Sequence, residues 1–171
     1  CRAGSGCLAE LEKIIDENRE RVVGVVIEPR VQGATGIVVQ PEGFIRGVRG
    51  LCDKYGVLMV ADEVAVGLGR TGHMFACLSE DVTPDLMSIG KGLSGGYLPM
   101  AATMTTEKVF DAFRGPDHHT NTFFHGHSFT GNPLGCAASL ASLDLFEKEG
   151  TIDKVRKRSE QAAGWLKRIA E

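Results

Sequence analysis

The chain has 171 residues, 43% hydrophobic and 24% charged, with a formal net charge of −3. That is enough for one sizeable core, and it excludes the basic footprint of a nucleic-acid binder. No apolar run is long enough for a helix to cross a bilayer.

Leu8, Leu11, Ile14 and Ile15 recur at helical spacing, which predicts an amphipathic helix over about residues 7–20. Residues 22–27 form a continuous apolar run rich in β-branched side chains, predicting a strand buried on both faces. Residues 29–36 read as a loop. A second helix follows Pro41 and stops at Gly56, a suitable C′ glycine. Residues 57–61 predict a second buried strand, and Gly67, Gly69 and Gly72 an extended loop. Residues 86–89 and 100–104 predict two more strands. Residues 106–113 predict a short helix capped by Thr105 or Thr106. After a long loop, Asn132 and Pro133 are a cap and N1 pair opening a helix to about Lys148. Gly150 ends it, and residues 152–170 predict a last helix. Strands alternating with helices indicate an α/β fold with a mainly parallel sheet.

The chain begins at Cys1 rather than Met and ends at Glu171 inside a helical pattern, so it is expected to be a segment of a longer protein. Its five cysteines (Cys1, Cys7, Cys52, Cys77, Cys136) show no CxxC spacing and are expected to be free thiols in a reducing cytoplasm.

Three polar residues each follow a strand-like run: Glu28, Asp62 and Lys91. In an open α/β sheet, the carboxyl edge of the strands is where ligands bind. Other motifs compete for attention. Gly67-Leu68-Gly69-Arg70-Thr71-Gly72 matches GxGxxG, but it neither follows its strand directly nor opens a helix, as a dinucleotide site requires. Gly92-Leu93-Ser94-Gly95-Gly96 matches GxSxG, with Ser94 as a candidate nucleophile and His125 or His127 as base. Against it, Lys91 lies nearer the strand end and the following residues read as a loop. His125-Gly126-His127, with His118 and His119, lacks a carboxylate or thiol at metal-ligand spacing. A strand-end lysine can form a Schiff base. Pyridoxal phosphate chemistry pairs such a lysine with a carboxylate that keeps the pyridine nitrogen protonated. Lys91 and Asp62 are candidates for that pair; taken singly, Asp62 also reads as a helix or turn cap and Lys91 as a solvated loop lysine.

The same residues carry a resemblance. Val60-Ala61-Asp62-Glu63-Val64, running on to Gly72, and Pro84-Asp85-Leu86 with Gly90-Lys91-Gly92 are similar to motifs of the class III pyridoxal-phosphate-dependent aminotransferases. So are Val26-Ile27-Glu28-Pro29 and the stretch from Phe124 through His127 and Ser128 to Leu134. The order and spacing match over nearly the whole chain.

The resemblance implies an α/β fold of the aspartate aminotransferase type. Residues 1–150 would belong to the large cofactor-binding domain and 151–171 would start a smaller C-terminal domain. Lys91 would hold pyridoxal 5'-phosphate covalently and shuttle the proton, Asp62 would pair with the pyridinium nitrogen, and Val64 would pack on the ring. Ser128, with backbone amides near His127, would bind the cofactor phosphate of the neighbouring subunit, which implies a homodimer. Glu28 would lie near the substrate, or else serve as a turn residue ahead of Pro29. Arg70 and Glu63 would be structural. Within the family, the residues around His127 resemble the branch serving biotin synthesis, with adenosylmethionine as amino donor and an oxo acid as acceptor. Another ω-amino donor, a Ser94 hydrolase and a non-catalytic domain are the alternatives. The family's own phosphate loop and ring-stacking aromatic would precede Cys1, and its carboxylate-binding arginine would follow Glu171. The segment alone is therefore expected to have little or no activity.

Overall fold

The structure, a computed structural model, describes residues 6–116 and 120–171; Cys1, His118 and His119 lie outside the described residues. Helix α1 (Gly6–Glu17) leads into strand β1 (Gly24–Ile27). The loop that follows contains a small antiparallel ribbon, β2 (Val31–Gln32) and β3 (Val38–Val39), which local periodicity is too short to reveal. Helix α2 (Phe44–Tyr55) and strands β4 (Leu58–Asp62), β5 (Leu86–Ile89) and β6 (Ala102–Thr105) come next. Helices α3 (Glu107–Asp111), α4 (Pro133–Lys148) and α5 (Thr151–Ala170) complete the order.

The main sheet runs β1-β4-β5-β6, with β1, β4 and β5 parallel and β6 antiparallel. Helix α2 supplies Ile45, Val48 and Cys52 to a core shared with Met59, Met87 and Ile89 of the sheet. The opposite face is barer. Val26 of β1 is 72% exposed, so the expected burial on both faces does not hold for that strand. Ile27 and Val26 read alike in sequence, but they point to opposite faces and only one face carries α2.

Local signals explain several helix ends. Gly56 is left-handed (φ 67°), and the Val57 N–H closes back on the Cys52 carbonyl (3.0 Å). Asn132 caps α4 by accepting from the Gly135 N–H (2.7 Å). Other ends are held from a distance. Buried Glu80 accepts from the Gly43 and Arg46 N–H groups (3.0 Å each), so it caps α2 across 37 and 34 residues of chain. The predicted threonine cap of α3 is not formed. Thr106 occupies the cap position without a side-chain bond, while the Thr105 hydroxyl donates to the Asp85 carbonyl (3.1 Å).

Cys52, Cys77 and Cys136 are free thiols, but Cys7 is disulfide-bonded, which corrects the expectation for that residue. Disulfides depend on Cα separation in space, and CxxC spacing says nothing about that. Burial, with Glu63 nearby, pushes the Cys77 thiol up to about 12, and burial also raises Cys52. Alkylation of the native protein at pH 8 is therefore expected to label Cys136 and to spare Cys52 and Cys77 until denaturant is added. Peptide mapping checks this.

Asp85 joins several elements. Its Oδ2 accepts from the Met59 N–H (2.8 Å) and from Arg49 Nη1 of α2 (2.7 Å). Burial alone would raise its pKa, but these two donors outweigh that and hold it below the ordinary carboxylate value. Its folded-state pKa thus lies below the unfolded one, so its stabilisation is present at neutral pH and is lost as pH falls below about 4. Asp85→Asn is expected to cost about 2 kcal/mol at pH 7. In urea unfolding, the gap from wild type should narrow at pH 3.

Candidate active site

Parallel pairing sets the three strand ends side by side. Ile27 pairs with Ala61, and Asp62 pairs with Ser88. Glu28, Asp62 and Lys91 therefore leave β1, β4 and β5 at one carboxyl edge. Along β4 the buried positions are Met59 and Ala61, which face the core. Asp62 is out of phase with them and faces the barer side. Its Oδ1 accepts from the Val64 N–H (3.1 Å), which fixes the carboxylate's orientation.

The chain bends sharply where β5 ends. Lys91 has φ 43°, a left-handed conformation that L-residues avoid at a cost of about 1–2 kcal/mol. A Cβ built on Gly90 would lie 3.6 Å from Val64 Cγ1, so Val64 sits over the backbone just ahead of the lysine. Lys91 and Val64 line one cleft of about 400 Å³ together with Leu68, Arg70, Ser142 and Phe146. An exposed primary amine, an aliphatic wall and a neighbouring carboxylate share one edge. That arrangement can hold a flat aldehyde and stabilise positive charge on its ring.

The remaining predicted residues lie elsewhere. Glu28 Oε2 accepts from the Gly33 N–H (3.1 Å), and its carbonyl accepts from Gln40 Nε2 (2.7 Å). The carboxylate therefore takes part in the turn and is not among the residues lining the cleft. His127 and Ser128 occupy an exposed loop ahead of α4. The His127 N–H donates to Thr130 Oγ1 (2.9 Å), and the Phe129 N–H donates to His127 Nδ1 (3.1 Å). Within one copy of the chain, Val64 and Lys91 share the cleft, Asp62 stands at the neighbouring strand end without being among its lining residues, and His127 and Ser128 stand apart.

Ser94 is 2% exposed and its hydroxyl donates to the Leu98 carbonyl, within a short 3-10 helix (Lys91–Ser94). It has neither the exposure nor the following α-helix of a nucleophile elbow. Gly72 is likewise followed by turns and a 3-10 helix (Ala76–Glu80), not by a helix meeting a pyrophosphate. Among the described residues, no three His, Cys, Asp or Glu side chains gather as metal ligands.

Arg70, expected to be structural by holding its loop, has its side chain exposed at the cleft. That task falls to Arg156 of α5, whose Nε donates to the Gly72 carbonyl (2.6 Å), and to buried Glu63. Arg156 leaves no sequence signal, because its partner is a backbone carbonyl 84 residues away. Glu63 does leave one: the buried phase of β4 continues through it.

Comparison with known proteins gives a consistent result. The model of the family "Aminotransferase class-III" matches residues 2–171. The chain is 55% identical over 168 residues to adenosylmethionine-8-amino-7-oxononanoate aminotransferase of Geobacter sulfurreducens, covering 98% of this chain and 37% of that protein. It thus spans little more than a third of that relative's length. The crystal structure of the enzyme of that name from Methanocaldococcus jannaschii superposes with a TM-score of 0.93 at 38% identity, covering all of this chain and 40% of that one. Taurine:2-oxoglutarate aminotransferase of Bifidobacterium kashiwanohense, solved in complex with PLP and glutamate, superposes with a TM-score of 0.86 at 32% identity, covering 95% of this chain and 35% of that one. A family match over nearly the entire length, with relatives and solved structures agreeing on its architecture, means that this chain belongs to the class III aminotransferases.

Proposed function

We propose that the chain carries the lysine and the ring-binding carboxylate of a pyridoxal-phosphate-dependent transaminase. In this reading the enzyme moves an amino group from S-adenosylmethionine to 8-amino-7-oxononanoate and yields 7,8-diaminononanoate for biotin synthesis. The observation that carries the chemistry is the placement of Asp62 and Lys91 at the carboxyl ends of two adjacent parallel strands. The substrates rest on the names of the relatives with about half their residues identical.

The donor set suits the cofactor. Lys91 Nζ offers a nucleophilic amine to its aldehyde, Asp62 offers an anion to its pyridinium N–H, and Val64 offers an aliphatic face to its ring. When bound, pyridoxal phosphate supplies an electron sink for the pair left as the C–H bond beside the amine breaks. Asp62 would keep the ring nitrogen protonated, so that the sink stays effective. Lys91 Nζ would take the proton released from that C–H bond and return it to the adjacent carbon. Ser128, with the amides around His127, is proposed to bind the cofactor phosphate of a second subunit, which explains its distance from Lys91 within one copy. Glu28 is proposed to stand at the substrate side while its Oε2 holds the turn. Residues 1–150 are assigned to the large domain and 151–171 to the start of the small one.

Borohydride reduction of the full-length protein loaded with pyridoxal phosphate, followed by peptide mapping, is expected to place the pyridoxyl group on Lys91. An adduct on another lysine, or none, would refute the assignment. Asp62→Asn is expected to retain trapping at Lys91 but to lower the transamination rate about a hundredfold.

The alternative within the family is another ω-amino donor, since acetylornithine and taurine aminotransferases share the fold. In a screen of adenosylmethionine, ornithine and 4-aminobutyrate, only the first is expected to support amination of 8-amino-7-oxononanoate.

A further inference from the structure

Glu63 stands between Asp62 and Val64 and faces the other way. It is 1% exposed, on the face that buries Met59 and Ala61. Each of its polar groups has a backbone partner. Its N–H donates to the Ser88 carbonyl (2.9 Å), which extends the β4–β5 pairing one residue past Asp62. Its carbonyl accepts from the Gly67 N–H (2.9 Å). Its Oε2 and Oε1 accept from the Ala76 and Cys77 N–H groups, 2.8 Å each. A buried carboxylate is tolerated when donors of this kind replace water.

The consequences reach the cleft. Side chains alternate along an extended chain, so anchoring Glu63 inward commits Asp62, the last residue of β4, to the opposite side. The Val64 N–H belongs to the peptide that follows Glu63, and this is the group that orients Asp62 Oδ1. Gly67 is pressed against the same residue: a Cβ there would lie 2.7 Å from the Glu63 carbonyl oxygen and 3.2 Å from Oε2. The segment that walls the cleft, including Val64, Ala65, Gly67 and Leu68, is thus pinned near its start by Glu63.

We propose that Glu63 is a positioning residue for the ring-binding carboxylate. By fixing the peptides on either side of it, it sets the direction of the Val64 N–H and, through it, the direction in which Asp62 meets the pyridinium nitrogen. The inference rests on the assignment of Asp62 and Lys91 made above.

The test uses the full-length protein loaded with pyridoxal phosphate. The pH midpoint of the lysine–cofactor absorption band reports the charge beside the ring. Glu63→Gln and Glu63→Asp are each expected to move that midpoint by at least about half a pH unit. Glu80→Gln, which removes a buried cap from α2 away from the cleft, is expected to lower the melting temperature and leave the midpoint in place. Glu63 variants that melt earlier but keep the wild-type midpoint would overturn the proposal. If Glu63→Asp does not fold, the isosteric Glu63→Gln decides the matter alone. A wild-type protein with no such band would remove the assignment of Lys91 and this inference with it, and that result is visible before any Glu63 variant is made.

Discussion

The Met59 N–H donates to Asp85 Oδ2 (2.8 Å), and the Asp85 N–H donates to the Met59 carbonyl (2.9 Å). This two-way lock sits where β4 and β5 begin. The Asp85 carbonyl also accepts from the Thr105 hydroxyl and the Thr106 N–H (3.1 Å each), which brings in the end of β6. Parallel strands have no hairpin to set their register, so an explicit lock matters more here than in a meander. A slip of one residue would turn Asp62 toward the core and expose Ala61 or Glu63 in its place. The facing of Asp62 at one edge of the sheet therefore depends on a carboxylate at the other.

The parts of this arrangement legible in the sequence are those with local causes. β4 and β5 are legible because each is a short apolar run with a polar residue at or just past its end. The start of α4 could be read because Asn132 and Pro133 satisfy and remove donors within one turn. The cap of α2 could not, because Gly43 has no side chain and the acceptor, Glu80, is supplied from far along the chain. The exposure of the outer face of β1 leaves no sequence signal for a related reason. An apolar run looks the same whether or not the layer that would cover it comes from the same stretch of chain.

The carboxylates divide by what they accept. Glu63, Glu80 and Asp85 each use backbone N–H groups to hold separate segments together. Glu28 holds its own turn through Gly33. Asp62 accepts one N–H, from Val64, and among the described residues its Oδ2 takes no hydrogen bond. Desolvated carboxylates are driven to find donors. Among the described residues Glu28 Oε1 and Asp85 Oδ1 likewise take no hydrogen bond. What separates Asp62 is its place: it ends β4 on the barer face, on the strand beside the one that leads to Lys91.

Lys91 shows the converse arrangement. A left-handed backbone is normally given to glycine, and glycines flank this residue on both sides, yet the strained position itself holds a long cationic side chain. The turn does not relax because it is held from several directions. The Leu93 N–H reaches the Gly90 carbonyl (3.0 Å), and the Gly95 N–H reaches that of Gly92 (2.9 Å). The Ser142 hydroxyl from α4 donates to the same Gly92 oxygen (3.4 Å), and Leu93 and Ser94 are buried beneath. Strain of this kind persists only where surrounding structure over-determines it, and it gathers at working sites. An ordinary extended residue would carry the chain straight on past the sheet edge. The left-handed turn breaks that course at Lys91 itself, so the amine is set at the cleft beside Val64 instead of being carried past it.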